Sequence, residues 1–179
     1  MLALSIAHAY QVLLVCVLPI AAWVAWSDLK TMKIPNKAVM SLLVVFFFAG
    51  LLVLPLDVWV WRWLNFAVVL AIGFVLNAAA NVGAGDAKFA AAAAPFFHAA
   101  DIRLVLPLFA AFLLGAFAAH RLMRAIPLVR RMTPDWVSWQ RKDFPMGLAL
   151  VGTLVAYLAL VAFPPLYPWL LSLVGLTRM

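Results

Sequence analysis

Long apolar runs separated by short polar connections dominate this chain. A helix that crosses a bilayer needs about 20 apolar residues, and on this measure we predict six spans, at residues 4–26, 38–54, 59–80, 87–98, 104–122 and 147–171. The fourth run is short and mostly alanine, so we expect it to be buried inside the bundle, where small side chains let helices pack closely. The pattern predicts an all-α, polytopic membrane helix bundle with about six transmembrane helices.

Composition narrows the possible classes of protein. Of the 179 residues, 69% are hydrophobic and 11% are charged, whereas an ordinary soluble domain is roughly half apolar. The only cysteine, Cys16, lies within the first apolar run, which excludes a disulfide framework and a cysteine-based metal site. We therefore expect one membrane-embedded domain over residues 1–179, in contact with the lipid bilayer and without a metal or cofactor.

The basic residues predict the orientation in the membrane. The net charge is +7, but Lys and Arg occupy short connections and do not follow one face of an amphipathic helix, so nucleic acid is not the expected partner. The connections at 27–37, 81–88 and 121–146 hold Lys30, Lys33, Lys37, Lys88, Arg121, Arg124, Arg130, Arg131, Arg141 and Lys142. The other side holds only Arg62, Arg103 and Arg178. The positive-inside rule puts the first set in the cytoplasm and both termini outside.

The longest connection, residues 121–146, has two possible interpretations. It mixes basic residues with Trp136 and Trp139, a composition that suits a short helix lying on the membrane surface and drawn to anionic lipid. Alternatively, its charges serve only to orient the protein in the membrane.

Carboxylates are rare, and each position is therefore informative. The chain has six acidic residues, all of them aspartate. Four have ordinary interpretations: Asp57 and Asp101 as solvated residues of the outside turns, Asp135 and Asp143 as ion-paired residues of the long basic connection. The remaining two, Asp28 and Asp86, fall at the predicted cytoplasmic face.

The sequence around these two aspartates indicates a paired site. Asp28 ends the first span, and Asp86 follows two glycines in Gly83-Ala84-Gly85, which permit backbone conformations and close approaches barred to larger residues. Two carboxylates at one site share a proton, so one acts as a base and the other as an acid. We expect Asp86 at the start of a helix and Asp28 at the end of one. The helix dipoles therefore favour the shared proton on Asp28, with Asp86 as the base that activates water.

At these residues the chain resembles the type IV prepilin peptidases, which belong with the GxGD membrane aspartyl proteases. The resemblance consists of Asp28 followed by Ile34-Pro35-Asn36, and then of Gly83-Ala84-Gly85-Asp86-Ala87-Lys88. A further segment, Phe144-Pro145-Met146-Gly147, looks like the family's Pro-aromatic-Gly segment with Met146 in place of the aromatic residue. The resemblance implies that Asp28 and Asp86 are catalytic. It implies a substrate-binding or supporting role for Gly83, Gly85, Lys88, Pro35, Asn36, Pro145 and Gly147.

The same resemblance implies a substrate and a location. Family members cut prepilins after a glycine that precedes a hydrophobic N-terminal helix, at the cytoplasmic face of the bacterial inner membrane. Longer members carry a methyltransferase domain between the first two spans, where this chain has only the connection at 27–37. It is similar to the short forms of tight-adherence (Flp) pilus systems, and we expect no methylation by this chain.

An alternative from another functional class stays open. Asp28 and Asp86 could bind a cation or a partner in a non-catalytic assembly factor or a small transporter. A transporter needs a polar path through the membrane, and no charged residue lies near a predicted midplane. This argument disfavours the transporter but leaves the assembly factor open.

Overall fold

The computed structural model of the protein describes residues 5–80 and 82–166. This part of the chain is helical without a strand, which confirms the predicted all-α bundle. The helices are α1 Ile6–Thr31, α2 Asn36–Val45, α3 Leu51–Val53, α4 Leu56–Ala80, α5 Ala84–Ala93, α6 Ile102–Ala125, α7 Pro127–Met132 and α8 Gly147–Ala162. A π-helical turn, Phe46–Gly50, joins α2 and α3 into one continuous helix.

Four of the described helices are long and apolar enough to cross a bilayer: Ile6–Thr31, Asn36–Val53, Leu56–Ala80 and Ala99–Ala125. Helix α5 is too short to cross alone, and its residues Phe89 and Ala91 are buried in the bundle, as its length and alanine content predicted. Helix α8 is apolar but has 16 residues and ends at Ala162, before the predicted end of the last span at residue 171, of which residues 167–171 lie outside the described part of the chain. The chain is a multi-pass membrane protein.

The first two helices differ from their predicted bounds in a way that affects the site. Helix α1 continues to Thr31, beyond the predicted end at residue 26, so Asp28 lies within its last turn. Met32 ends the helix in the left-handed conformation (φ 54°), and its amide donates to the Asp28 carbonyl at 2.8 Å. Residues 32–35 alone separate α1 from α2. The predicted connection of 27–37 was therefore too long.

A close contact with α4 positions α5 in the bundle. Helix α5 packs chiefly against α4, and an ideal Cβ on Gly73 of α4 would lie 3.0 Å from the Cβ of Ala87. Glycine at this position therefore lets the two helices approach each other more closely than a larger residue would allow. Helix α1 packs chiefly against α8, and α6 packs against the same helix.

A buried arginine closes the opposite end of the bundle from Asp28. Arg62, in α4, is 6% exposed and donates to the carbonyls of Pro95 (3.3 Å) and Phe96 (3.1 Å), just after α5. Its guanidinium also donates to the hydroxyl of Tyr10 at 2.8 Å. These bonds satisfy carbonyl groups that the end of a helix leaves without partners.

One aspartate near that arginine was assigned wrongly from the sequence. Asp101 was predicted to be a solvated turn residue, but it is half-buried and its Oδ2 accepts a hydrogen bond from the Tyr157 hydroxyl at 2.6 Å. The same hydroxyl accepts from the backbone amide of His98 at 3.0 Å. Burial of the tyrosine in α8 brings it to this turn, a contact that the local sequence does not indicate.

Candidate active site

Asp28 is a buried carboxylate with a backbone hydrogen bond. It lies in the last turn of α1, is 4% exposed, and accepts at Oδ2 from the backbone amide of Gly147 at 2.7 Å. Gly147 is the first residue of α8, where amides have no partner within the helix. The start of α8 thus supplies the donor that holds the Asp28 side chain.

Gly147 leaves space that the Asp28 carboxylate occupies. An ideal Cβ on Gly147 would lie 2.7 Å from Oδ2 and 3.1 Å from Cγ of Asp28, closer than non-bonded atoms normally approach. Pro145 is buried just before it and accepts a hydrogen bond from the Leu148 amide. The segment that carries Pro145 and Gly147 therefore packs directly against Asp28.

Asp86 occupies the opposite kind of helix end. It is the third residue of α5, where free amides and the positive end of the helix dipole favour a carboxylate. The side chain is half-buried, and this burial raises the pKa of the Asp86 carboxyl above its ordinary value. The helix dipole thus favours the ionised form of this carboxyl group, whereas burial favours the protonated form.

The two glycines of the Gly83-Ala84-Gly85-Asp86 segment have different surroundings. A Cβ on Gly83 would overlap Oδ2 of Asp86, whereas one on Gly85 would make an ordinary contact of 3.6 Å with the Cβ of Ile34. Gly83 has φ −55° and ψ 127°, a conformation open to any residue. Glycine at position 83 thus leaves space for the Asp86 carboxyl group and does not serve an unusual backbone conformation. Of the two reasons that the sequence suggested for this glycine, close approach is correct and backbone conformation is wrong.

The two aspartates and their flanking segments converge at one end of the bundle. Helix α5, which holds Asp86, packs against α8, whose first residue Gly147 donates a hydrogen bond to the Asp28 carboxyl group. Gly85 lies against Ile34, and Pro35 caps the start of α2, which packs against both α1 and α5. The two sequence segments singled out above are therefore neighbours in the fold.

Two of the proposed supporting residues have exposed side chains. Lys88 and Asn36 are exposed. Neither makes an ion pair or a side-chain hydrogen bond with another residue in the part of the chain that the structure describes. Across the same residues, no group of three or more His, Cys, Asp or Glu side chains could hold a metal ion.

A comparison with protein families shows the family of this chain. The model of the type IV leader peptidase family matches residues 12–120, a segment that includes both Asp28 and Asp86. The chain belongs to the type IV leader peptidase family. Comparisons with curated proteins and with solved structures found no match. Membership confirms the resemblance inferred from the sequence and makes this chain a membrane protease, while Gly147 lies beyond the matched segment.

The candidate site of this leader peptidase family member includes aromatic contacts that the sequence did not predict. Four rings form a continuous chain of contacts: Trp26 meets Trp136 edge to face at 5.2 Å, Trp136 stacks on Trp139 at 5.4 Å, and Trp139 stacks on His120 at 5.1 Å. This aromatic chain joins the end of α1 to the end of α6. The sequence indicates a membrane-surface position for Trp136 and Trp139, but it does not indicate their contacts with Trp26 and His120.

An ion pair adds to the same connection. Lys30, two residues after Asp28, pairs with Asp135 at 2.9 Å and holds the pKa of that exposed carboxyl below its usual range. The connection at 121–146 therefore folds back over the end of α1. Gly147, which follows this connection, lies next to Asp28. Neither sequence interpretation of this connection, as a surface helix or as orienting charge, included this contact.

Proposed function

We propose that this member of the leader peptidase family is an aspartyl endopeptidase that removes the leader peptide of type IV prepilin-like proteins. Asp28 and Asp86 are the proposed catalytic pair. The observation that carries the proposal is that α1 and α5, which hold aspartates 58 positions apart in sequence, pack against the same two helices, α2 and α8. Two carboxylates that meet at one site share one proton, as an aspartyl mechanism requires.

The helix ends support a division of roles within the pair. Asp86, at the positive end of α5, is the base that takes a proton from the attacking water. Asp28, at the negative end of α1, is the acid that gives its proton to the carbonyl oxygen of the scissile bond. Since Oδ2 of Asp28 accepts from the Gly147 amide, the proton belongs on Oδ1. Collapse of the tetrahedral intermediate then breaks the carbon–nitrogen bond. Asp86 gives its proton to the leaving nitrogen, and a hydroxyl of the intermediate returns a proton to Asp28 as the new carboxyl group forms.

The distribution of charge supports a cytoplasmic site. Both aspartates lie at the end of the bundle that carries the basic connections, which the positive-inside rule assigns to the cytoplasm. We infer that the protein resides in the bacterial inner membrane as a single peptidase domain over residues 1–179. The short link of residues 32–35 between α1 and α2 supports the short form of the enzyme, without an inserted methyltransferase domain.

Cleavage of a prepilin by the purified protein tests this function. The wild-type chain in lipid nanodiscs should shorten a full-length prepilin with an apolar N-terminal helix, as seen by gel shift and by mass of the product. Asp28→Asn and Asp86→Asn should each abolish cleavage, because an amide cannot exchange protons as the pair requires. Asp57→Asn, at an exposed residue near the start of α4, is the matched control and should cleave normally.

The outcomes also separate the alternative functional class. A non-catalytic assembly factor would bind a prepilin without shortening it. Cleavage that continues in either Asp28→Asn or Asp86→Asn would exclude the aspartyl mechanism, while absence of cleavage by the wild-type protein would favour the assembly factor.

A further inference from the structure

A long apolar groove lies beside the candidate site. Its cavity of about 580 Å³ is open between α4 and α6 and has α5 and α8 as its floor. The floor residues Phe89, Ala93 and Ala94 are buried, whereas the wall residues Val68 of α4 and Leu106 of α6 are 47% and 59% exposed. In a bilayer, such half-exposed walls would open the groove sideways toward lipid.

The lining of the groove suits an apolar occupant. It has no charged side chain and only three polar ones, Asn65, His98 and Thr153. Asn65 donates to the carbonyl of Phe97 at 3.0 Å and Thr153 to that of Ala149 at 2.7 Å, so these two groups need no partner from an occupant. The groove therefore offers packing and few hydrogen bonds.

The groove is aligned with the two aspartates. Residues three or four apart share one face of a helix, and Ala90 of the lining, four residues after Asp86, continues the face of α5 that carries Asp86. On α8, Leu150 lines the groove three residues after Gly147, the residue bonded to Asp28. The groove thus begins about one helical turn beyond each half of the site.

We propose that this groove receives the hydrophobic N-terminal helix of the prepilin substrate. This inference rests on the proposed function. The lining residues of α4 extend from Leu64 to Ile72, a length of roughly 12 Å at the helical rise, enough to contact about eight residues of a second helix. The alanines allow close approach of a helix backbone. A helix lying there would present the peptide bond at its beginning to Asp28 and Asp86.

The sideways opening supplies a route of entry. A substrate helix already in the bilayer would reach the groove between α4 and α6 without leaving lipid, so its apolar surface would never be exposed to water. A lipid chain or a second copy of this protein would also be apolar. Neither of these occupants would place a peptide bond at the aspartates, whereas the alignment of Ala90 with Asp86 and of Leu150 with Gly147 gives the substrate helix that position.

Filling the groove tests the proposal against a matched control. Val68→Trp fills the groove wall, whereas Leu70→Trp adds the same ring on α4 outside the groove, at a residue that is 39% exposed. We expect Val68→Trp to raise KM for a full-length prepilin by roughly tenfold, equivalent to about 1.4 kcal/mol of lost binding. Leu70→Trp should keep the wild-type KM. Equal KM values for the two variants would overturn the proposal.

Photo-crosslinking gives a second measurement that does not depend on a bulky substitution. A benzophenone amino acid at position 68 or 106, in an Asp86→Asn background that retains substrate, should form an adduct with the prepilin. The same probe at position 70 or 114, outside the groove, should not. Adducts with lipid alone or with a second copy of this chain would contradict the proposal.

The results for the groove and for the function can be told apart. If the wild-type protein cleaves prepilin but no prepilin adducts form at positions 68 and 106, the groove proposal fails and the proposed function stands. If the wild-type protein cleaves nothing, the proposed function itself fails.

Discussion

The backbone amide of Gly147 donates a hydrogen bond of 2.7 Å to Oδ2 of Asp28, across 119 positions of sequence. This bond joins the start of α8 to the end of α1 and fixes one oxygen of the buried carboxyl group. The family's segment has an aromatic residue where this chain has Met146. The donor to Asp28 is the backbone amide of Gly147, so this hydrogen bond does not depend on the side chain at position 146. The contact makes Gly147 part of the candidate site through its lack of a side chain.

The first prediction is that Gly147→Ala abolishes most of the peptidase activity. The new methyl group would lie 2.7 Å from Oδ2 of Asp28, so the carboxyl group must move, and a misplacement of about 1 Å can cost roughly a hundredfold in rate. The measurement is the initial rate of prepilin cleavage at equal amounts of inserted protein. Gly115→Ala is the control, because a Cβ there meets nothing within 4 Å, and it should remain fully active. A Gly147→Ala protein as fast as this control would show that the contact is not needed.

The second prediction distinguishes the two glycines that precede Asp86. In Gly83→Ala, the added methyl group would overlap Oδ2 of Asp86, whereas in Gly85→Ala it would lie 3.6 Å from the Cβ of Ile34, an ordinary packing distance. We expect Gly83→Ala to lose at least about tenfold in cleavage rate through displacement of the carboxyl, and Gly85→Ala to stay within about twofold of wild type. Parallel kinetic assays of the two variants provide the check. A greater loss in Gly85→Ala would refute this assignment.

The sequence predicted those parts of the molecule that depend on local pattern. The bilayer sets the length of apolar runs, so the helices were found with errors of a few residues at most of their ends, but α8 ends at Ala162, well before the predicted residue 171. The extension of α1 to Thr31 was missed because Ser27, Asp28 and Lys30 are polar. In a membrane protein, polarity marks the membrane boundary and not the end of the helix, which here continues until the left-handed Met32.

Contacts between distant segments could not be predicted in the same way. The Gly147 to Asp28 bond uses a backbone amide, which every residue except proline has, so the sequence offers no side-chain signal for it. The stacking of Trp139 on His120 likewise depends on how the long connection folds back. One feature had a usable signal: Arg62 lies within a predicted span, and a basic residue inside an apolar run usually has an internal partner.

The third prediction concerns pH and Asp86. Burial raises the pKa of the Asp86 carboxyl, so the folded protein binds a proton more tightly than the unfolded chain does. Stability therefore falls as pH rises from the ordinary carboxyl pKa of 3.8 through the higher folded value. Asp86→Asn should raise the Tm in nanodiscs at pH 7, and the gain should shrink as pH approaches 4. Exposed Asp57→Asn should give no such pH-dependent gain, and an Asp86→Asn gain that is equal at both pH values would contradict the prediction.

The fourth prediction concerns the orientation in the membrane. After replacement of Cys16 by serine, a single cysteine at position 57 should react with a membrane-impermeant maleimide in intact cells, because the less basic side of the bundle faces outward. A cysteine at the exposed position 130 should react only after the membrane is made permeable. Labelling at 130 in intact cells would place the aspartates on the outer face.

The last prediction is that Arg62 stabilises the fold at the end of the bundle away from the aspartates. Arg62→Met removes the donors to the carbonyls of Pro95 and Phe96 and to the hydroxyl of Tyr10. Loss of hydrogen bonds from a buried charged group should lower the free energy of unfolding by about 1–3 kcal/mol. Thermal unfolding in nanodiscs should therefore show a clearly lower Tm. Arg103→Met is the matched control, because Arg103 is exposed, and its Tm should be close to wild type. Equal Tm values for the two variants would mean that these bonds contribute nothing to stability.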